Sequence, residues 1–275
     1  MEQILNTKID VKKSYWEVTE MDEILFLGTG AADWIIEERG EFFRRNSAAL
    51  LNSELMIDCG EHIFDFAQSV NNADLYKTVT DIIITHNHSD HFCKESVIRL
   101  ADSQKIRVGC DKDVCDTIGE HPNIEFVVFT PFDTKRMSKY EITPLLANHD
   151  VVIKGDSCAF HYIINTTDGK NIFYGLDGAW FLRPSWEMMK KHKFKLMVFD
   201  CTVGDRADWR LFEHNTIPML RMMIEGINSA DMLDDNALLV ATHLAMTLHN
   251  SHKETEKILK QINMLTAYDG MKVIF

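Results

Sequence analysis

The run Thr85-His86-Asn87-His88-Ser89-Asp90-His91 constrains this chain more than any other stretch, and it follows directly on the short apolar segment Asp81-Ile82-Ile83-Ile84. A brief continuous apolar run of this kind reads as a strand buried on both faces. Where the backbone stays extended, residues 86, 88 and 90 project to one side. His86 and His88 can then grip one cation together, since imidazole nitrogens suit zinc, manganese or iron. As the chain turns into a helix, Asp90 and His91 come to face a second site close by. The plain alternative is a solvated polar loop, which does not account for four ligand-type residues in six positions at the exit of a buried strand.

Closing two such sites takes more ligands, and the ends of other strand-like runs offer them. His149 follows Ile142-Thr143-Pro144-Leu145-Leu146-Ala147-Asn148, Asp177 follows Ile172-Phe173-Tyr174-Gly175-Leu176, and His243 follows Leu238-Leu239-Val240-Ala241-Thr242. Open α/β sheets place functional groups at such exits. Each residue taken singly reads as structural. Together with the cluster they make five histidines and two aspartates, a complete set for two divalent cations with one carboxylate shared between them.

The rest of the chain has the grammar of a layered α/β body, helices outside two sheets. Glu23-Ile24-Leu25-Phe26-Leu27 is the first firm strand and ends at Gly28-Thr29-Gly30, which lacks the following GK[ST] of a phosphate-binding loop and reads as a tight turn. Residues 31–46 form a long connection carrying Trp34, Phe42, Phe43, Arg44 and Arg45. Residues 48–52 and 54–58 read as a hairpin turning at Asn52-Ser53. Further strands are expected at 81–84, 106–109, 124–129, 140–147, 159–165, 171–176, 196–200, 237–241 and 272–275. Helices are expected at 61–70, 94–103, 111–119, 184–192, 215–228 and 251–264. No low-complexity linker divides the chain, so residues 1–275 read as one domain, with 1–20 as an N-terminal arm or edge strand.

Charge and cysteine usage narrow the function. The chain has 29 Lys+Arg against 42 Asp+Glu, a formal net charge of -13, which repels phosphate backbones and argues against an extended nucleic-acid partner. Its 6 cysteines form no CxxC pair, so neither a zinc ribbon nor a disulfide framework is indicated, and a reduced, cytoplasmic compartment fits. The first residues lack the apolar core of a signal peptide, and no apolar run is long enough to cross a membrane.

In their order along the chain these motifs resemble the metallo-β-lactamase superfamily, whose signature is HxHxDH. The resemblance runs from Phe26-Leu27-Gly28-Thr29-Gly30-Ala31 through Met56-Ile57-Asp58-Cys59-Gly60, the histidine cluster, Thr143-Pro144-Leu145, Asn148-His149 and Val198-Phe199-Asp200-Cys201 to His243. The nearest subgroup is that of the phosphodiesterases related to the cyclic-phosphate hydrolase of phosphonate breakdown and to the tRNA 3′-processing endonuclease. The resemblance implies a four-layer αββα sandwich with metals at one edge. It implies that His86, His88 and His149 hold one metal, that Asp90, His91 and His243 hold the other, that Asp177 bridges them, and that Asp58 orients a ligand histidine. Two features depart from the subgroup: no cysteine-rich structural zinc site is matched, and Leu176-Asp177-Gly178-Ala179-Trp180 lacks the hydroxyl residue often found after the aspartate. The absence of a basic Gly/Pro-rich arm argues against tRNA processing.

The expected activity is hydrolysis of a small or cyclic phosphodiester by a hydroxide shared between two divalent ions, Zn or Mn first and Fe as an alternative, with Asp90 able to take its proton. His214, in Phe212-Glu213-His214-Asn215-Thr216, is either the acid that protonates the leaving group or a histidine at a helix start capped by Asn215. The same hydroxide could attack the carbonyl of a lactone, thioester or β-lactam, and a di-iron redox protein is a third reading. A homodimer is compatible with everything above. His249 and His252 read as surface histidines, and His62, His121, His161 and His192 as structural ones. Arg44 and Arg45 could reach a substrate phosphate, although exposed arginines are the commoner case.

Overall fold

The computed structural model describes residues 21–35, 43–149 and 158–275; the expected N-terminal arm at 1–20 and the middle of the long connection, with Phe42, lie outside the described residues. The chain begins with β1 (Glu23–Gly28), β2 (Ala48–Leu51), β3 (Leu55–Ile57), α1 (Ile63–Ser69), β4 (Asp81–Ile83), α2 (Lys94–Ser103) and β5 (Ile106–Cys110). It continues through α3 (Lys112–Ile118), β6 (Ile124–Val128), β7 (Lys135–Met137), β8 (Tyr140–Leu146), β9 (Phe160–Asn165) and β10 (Asn171–Gly175). Last come α4 (Arg183–Met189), β11 (Phe194–Asp200), α5 (Ile217–Ser229), β12 (Leu233–Thr242), α6 (His252–Leu259), β13 (Met264–Thr266) and β14 (Lys272–Ile274).

The strands form two 7-stranded sheets, ordered β14-β1-β2-β3-β4-β5-β6 and β13-β12-β11-β10-β9-β8-β7. Strand alternation explains why they stack. Ile24 and Phe26 of β1 and Leu196 and Val198 of β11 point between the sheets, where they meet Phe160, Tyr162 and Tyr174. The intervening Leu25 and Leu27 face Ile63 and Phe66 of α1, Val97 and Leu100 of α2 and Val114 of α3. On the far side Met197 and Phe199 face Met189 of α4, Leu220 of α5 and Leu259 of α6. Helices, sheet, sheet, helices: the expected αββα sandwich is present. Each fully buried large apolar side chain contributes roughly 1.5–3 kcal/mol, so the three apolar layers dominate the fold's stability.

Each sheet is antiparallel in one half and parallel in the other. β3, β4, β5 and β6 pair in parallel, as do β10, β11, β12 and β13. β8 and β10 are both antiparallel to β9, so β8, β10, β11 and β12 all run the same way and end at one edge. The ends of the two sheets are tied together there. Phe160 N donates to Thr85 O at 2.9 Å, and Leu244 N donates to Thr29 O at 3.0 Å.

Most elements fall where the sequence places them, and Asn52 (φ 50°) and Ser53 (φ 58°) form the left-handed turn of the β2–β3 hairpin. Two elements differ. The helix expected over 251–264 stops at Leu259, passes through a 3-10 turn at Lys260–Ile262 and gives way to β13, because Asn263 takes a left-handed φ of 56°. β7, only three residues long and with two basic side chains, has no sequence counterpart among the expected strands.

β1 reaches the edge where β8, β10, β11 and β12 end only because Gly28 lets the connection at Asn46 pass against it: a Cβ at Gly28 would overlap the backbone oxygen of Asn46. Gly28→Ala should therefore cost at least about 3 kcal/mol, the upper end of ordinary overpacking, read as a fall in the urea midpoint. A native-like midpoint would show that this approach is not tight.

Candidate metal centre

Six strand exits converge at that common edge. β4 delivers His86, His88, Asp90 and His91, β3 delivers Asp58, β8 delivers His149, β10 delivers Asp177, β11 delivers Asp200 and Thr202, and β12 delivers His243. Asp58, Asp177 and His243 sit in the left-handed region (φ 62°, 50° and 57°). Such backbone is costly for residues with a side chain and clusters at functional sites. Here it turns each side chain back across the strand ends instead of letting it follow the pleat.

The result is three donor groups that all contain Asp177; the third, Asp177, Asp200, His214 and His243, overlaps the second at His243, while the first two share Asp177 alone. His86, His88, His149 and Asp177 form the first, and Asp90, His91, Asp177 and His243 the second; within each set the donor atoms lie within 4.8 Å of one another. Asp177 divides its oxygens between them. Oδ2 is 3.6 Å from both His86 Nε2 and His149 Nε2, while Oδ1 is 3.2 Å from His91 Nε2 and 3.0 Å from His243 Nε2. Asp90 Oδ2 lies 3.3 Å from His243 Nε2. His88 Nδ1 and His149 Nε2 are 3.1 Å apart, as are His91 Nε2 and His243 Nε2. Four ligands held tetrahedrally at about 2.0–2.1 Å from a cation sit about 3.3 Å from one another, so these spacings suit a shared ion. All seven side chains named from the sequence come together.

Two observations test whether a cation fits. His86 Nε2 and Asp177 Oδ1 are buried with no hydrogen-bond partner, an expensive state unless something else satisfies them. Protonation points the same way at two of the rings, whereas at His91 burial is outweighed by Asp177, Asp90 and Asp58, which raise its pKa well above the ordinary value. Burial, reinforced by the positive field of His91, pushes the His86 pKa well below its ordinary value, and burial likewise lowers that of His149; the neutral ring is the form that binds metal. Burial opposes ionisation of Asp90, but His91 and His243 outweigh it and keep the carboxylate charged.

The outward ring nitrogens are fixed by partners. Asp58 Oδ2 lies 2.7 Å from His91 Nδ1 and accepts from Thr85 N at 2.8 Å through Oδ1, so Asp58 occupies the orienting position implied by the resemblance. Thr85 Oγ1 is 3.1 Å from His86 Nδ1, and Thr202 Oγ1 is 2.7 Å from His243 Nδ1. Asp200 and Thr202 were not singled out as site residues. Asp200 Oδ1 accepts from Thr202 N and Oγ1, and Oδ2 lies 2.8 Å from His214 Nδ1. The strand exit at Asp200-Cys201 was the available signal, since it has the same form as the exits that were read as ligands.

His214 lies inside the site. Its ring is 4.9 Å from that of His149 and stacks on that of His243 at 5.6 Å. Burial opposes its charge, yet Asp200 prevails and the pKa rises to about 9. The capping alternative is corrected in its detail: Thr216, not Asn215, caps α5 by accepting from Met219 N. Asn215 Oδ1 instead accepts from Trp180 N at 2.9 Å, tying the Asp177 loop to the His214 segment.

Other expectations fall away. Arg44 and Arg45 are 5% and 8% exposed. Arg44 donates to Thr29 and Ala267, and Arg45 to Asp65 and Asp269, so they clamp chain segments together and are not surface arginines. His249 is not a surface histidine either; its Nε2 is 2.6 Å from Cys201 O. His252 is half-buried, with Nδ1 2.9 Å from Arg44 Nη2. His62, His121, His161 and His192 belong to none of the donor groups.

A fold of this architecture with two interlocking His/Asp sets at its edge defines a metal-dependent hydrolase. The family profile described as "Beta-lactamase superfamily domain" matches residues 54–262, well over half of the chain, and the protein belongs to that superfamily, in its metallo-β-lactamase branch. Solved structures agree on the fold. The metallo-β-lactamase fold protein YhfI from Bacillus subtilis is similar with a TM-score of 0.70 at 13% identity, over 93% of this chain and 100% of that one. A diphosphatase from the PhnP family gives 0.69 at 15%, over 93% and 98%. Human tRNase Z, short form, gives 0.65 at 19%, over 91% and 98%. Comparison with curated protein sequences gives no match. Among the described residues no helix is long and apolar enough to cross a membrane.

Because Asp58 Oδ2 holds the Nδ1 side of the His91 ring, Asp58→Asn should weaken metal affinity about 10- to 100-fold while leaving the far-UV spectrum intact. Metal titration against a chromogenic chelator measures it, and unchanged affinity would remove Asp58 from the orienting role.

Proposed function

We propose that this protein is a dinuclear metal-dependent phosphodiesterase acting on a small or cyclic phosphodiester. The observation that carries the reading is the Asp177 carboxylate, whose two oxygens address two separate donor sets. In this reading His86, His88 and His149 hold one divalent ion, Zn or Mn, Asp90, His91 and His243 hold the other, and Asp177 holds both. Bound there, the cations would supply Lewis acidity, lowering the pKa of water and offsetting charge on the phosphoryl oxygens.

The chain's own residues supply the rest. Asp90, whose carboxylate lines the cavity beside the other candidate ligands, accepts the proton of the attacking water. His214 holds its Nδ1 on Asp200, which leaves Nε2 to give a proton to the departing alkoxide. Asp200 thereby fixes both the ring's orientation and its charge. A proton donor set opposite the attacked centre matters most for an alkoxide leaving group, which favours phosphodiesters over thioesters. The likeness to a PhnP-family diphosphatase and to a tRNase Z supports phosphorus as the centre attacked, and the net charge of -13 supports a small substrate over an extended RNA.

Purified metal-replete protein should contain two divalent ions per chain by elemental analysis and hydrolyse bis(p-nitrophenyl) phosphate. His88→Ala should abolish that turnover, and Asp177→Ala should bring metal content below one ion per chain. Turnover confined to lactones or thioesters would overturn the reading. His214→Ala should lower kcat about 10²- to 10⁴-fold on an alkyl phosphodiester and far less on the p-nitrophenyl ester, whose leaving group needs no proton. Full turnover of the alkyl ester by the variant would end the assignment of His214 as the acid.

A further inference from the structure

The edge bearing the candidate ligands opens into a cavity of about 210 Å³, lined among others by His88, Asp90, His149, Asp177, His214 and Trp209. Trp209 is 70% exposed, and Phe212 on the same 3-10 turn is 73% exposed. An indole left largely in water on the wall of a catalytic cavity forgoes a large burial gain. The turn that carries it is tied at both ends. Asp208 caps the turn by accepting from Arg210 N at 2.9 Å, and His214 N donates to Arg210 O at 2.7 Å, fixing the far end to the proposed acid.

The chemistry around Trp209 narrows what can lie on it. Arg210, its neighbour, is occupied by Asp208, with Nε to Oδ1 at 2.7 Å, and so offers no free cation for a second anionic group. Asp33 and Glu213 also line the cavity and oppose one. Ala31 and Ala32 add small apolar side chains to the lining, leaving space beside the indole. Apart from the candidate ligands and His214, the described lining therefore combines the Trp209 indole and two small side chains with carboxylates that disfavour a second anion.

We propose that Trp209 is a stacking platform for the substrate, and that the phosphodiester hydrolysed carries a flat, uncharged aromatic ring of nucleobase type; this rests on the phosphodiesterase reading above. The phosphoryl group sits at the ligand end while the ring lies on the indole, which sets the position of the scissile bond relative to His214. A ring stacked on a protein aromatic gains about 5- to 100-fold in affinity, and the fixed turn means little ordering cost opposes it.

The test compares two competitors of bis(p-nitrophenyl) phosphate hydrolysis that differ only in the base, adenosine 5′-monophosphate and ribose 5-phosphate. The nucleotide should inhibit about 5- to 100-fold more tightly. Trp209→Ala should collapse the difference, and Trp209→Phe should keep most of it. Equal inhibition by the two compounds, or a difference that survives Trp209→Ala, overturns the platform. Should the native protein leave the reporter unhydrolysed, the phosphodiesterase reading fails separately, and the same pair titrated by tryptophan fluorescence still reads the platform. A native dimer on gel filtration that Trp209→Ala disperses would show that a second copy covers the indole, which also overturns the proposal.

Discussion

A single buried carboxylate, that of Asp177, decides whether two sets of histidines make one site. Its left-handed turn sends one oxygen toward His86 and His149 and the other toward His91 and His243. Four carboxylates, Asp58, Asp90, Asp177 and Asp200, are buried at this edge. So much negative charge in a dry volume is tolerable only when each group is paired. Asp58 is paired with His91 and Asp200 with His214, whereas Asp177 Oδ1 lies 3.2 and 3.0 Å from the His91 and His243 rings without hydrogen-bond geometry to either. The imbalance sits at the one residue common to both sets, where a cation's charge would be most effective.

The surrounding backbone serves to hold that turn. Ala179 N donates to Asn148 O at 3.3 Å and Asn148 Nδ2 returns a bond to Ala179 O at 2.9 Å, so the exits bearing His149 and Asp177 brace each other. Cys59 N donates to His91 O at 2.9 Å, joining Asp58 to the ring it orients. Left-handed conformations at Asp58, Asp177 and His243 cost of order 1–3 kcal/mol each, and these cross-links with the apolar layers behind them sustain that strain.

What could be read along the chain and what could not divides by range. The histidine cluster declares itself within seven residues, and the β2–β3 turn within two, because both are local. His149, Asp177 and His243 were legible through a positional rule, polar groups at the exits of buried strands, with family order adding the pairing. The same rule applied to Asp200 would have found it. Its bond to His214 joins β11 to a segment 14 residues on, and no periodicity announces that. Arg44 and Arg45 show the opposite failure. In sequence they are a charged pair in a long connection, yet Arg44 reaches Ala267 and Arg45 reaches Asp269, more than 220 residues away. The short β7 and β13 are held by their sheet neighbours and not by intrinsic pattern, so these two stay invisible until the sheet exists, unlike the equally short β3 and β4, whose apolar runs announce them.

Chemistry and selectivity are carried by different parts of this architecture. The candidate ligands lie at strand exits, where a shift of one residue would turn side chains to the wrong face, so that set admits little variation. The segment between β11 and α5 is fixed at Thr202, His214 and Thr216, which bond inward to His243, Asp200 and α5. Between those anchors Trp209 and Phe212 point outward with nothing in the sheets depending on them. A superfamily with one metal edge can change what it binds by altering such a segment while the strand ends stay as they are. In this chain the segment presents a largely exposed indole to the cavity, where it is free to bear on what binds without bearing on the fold.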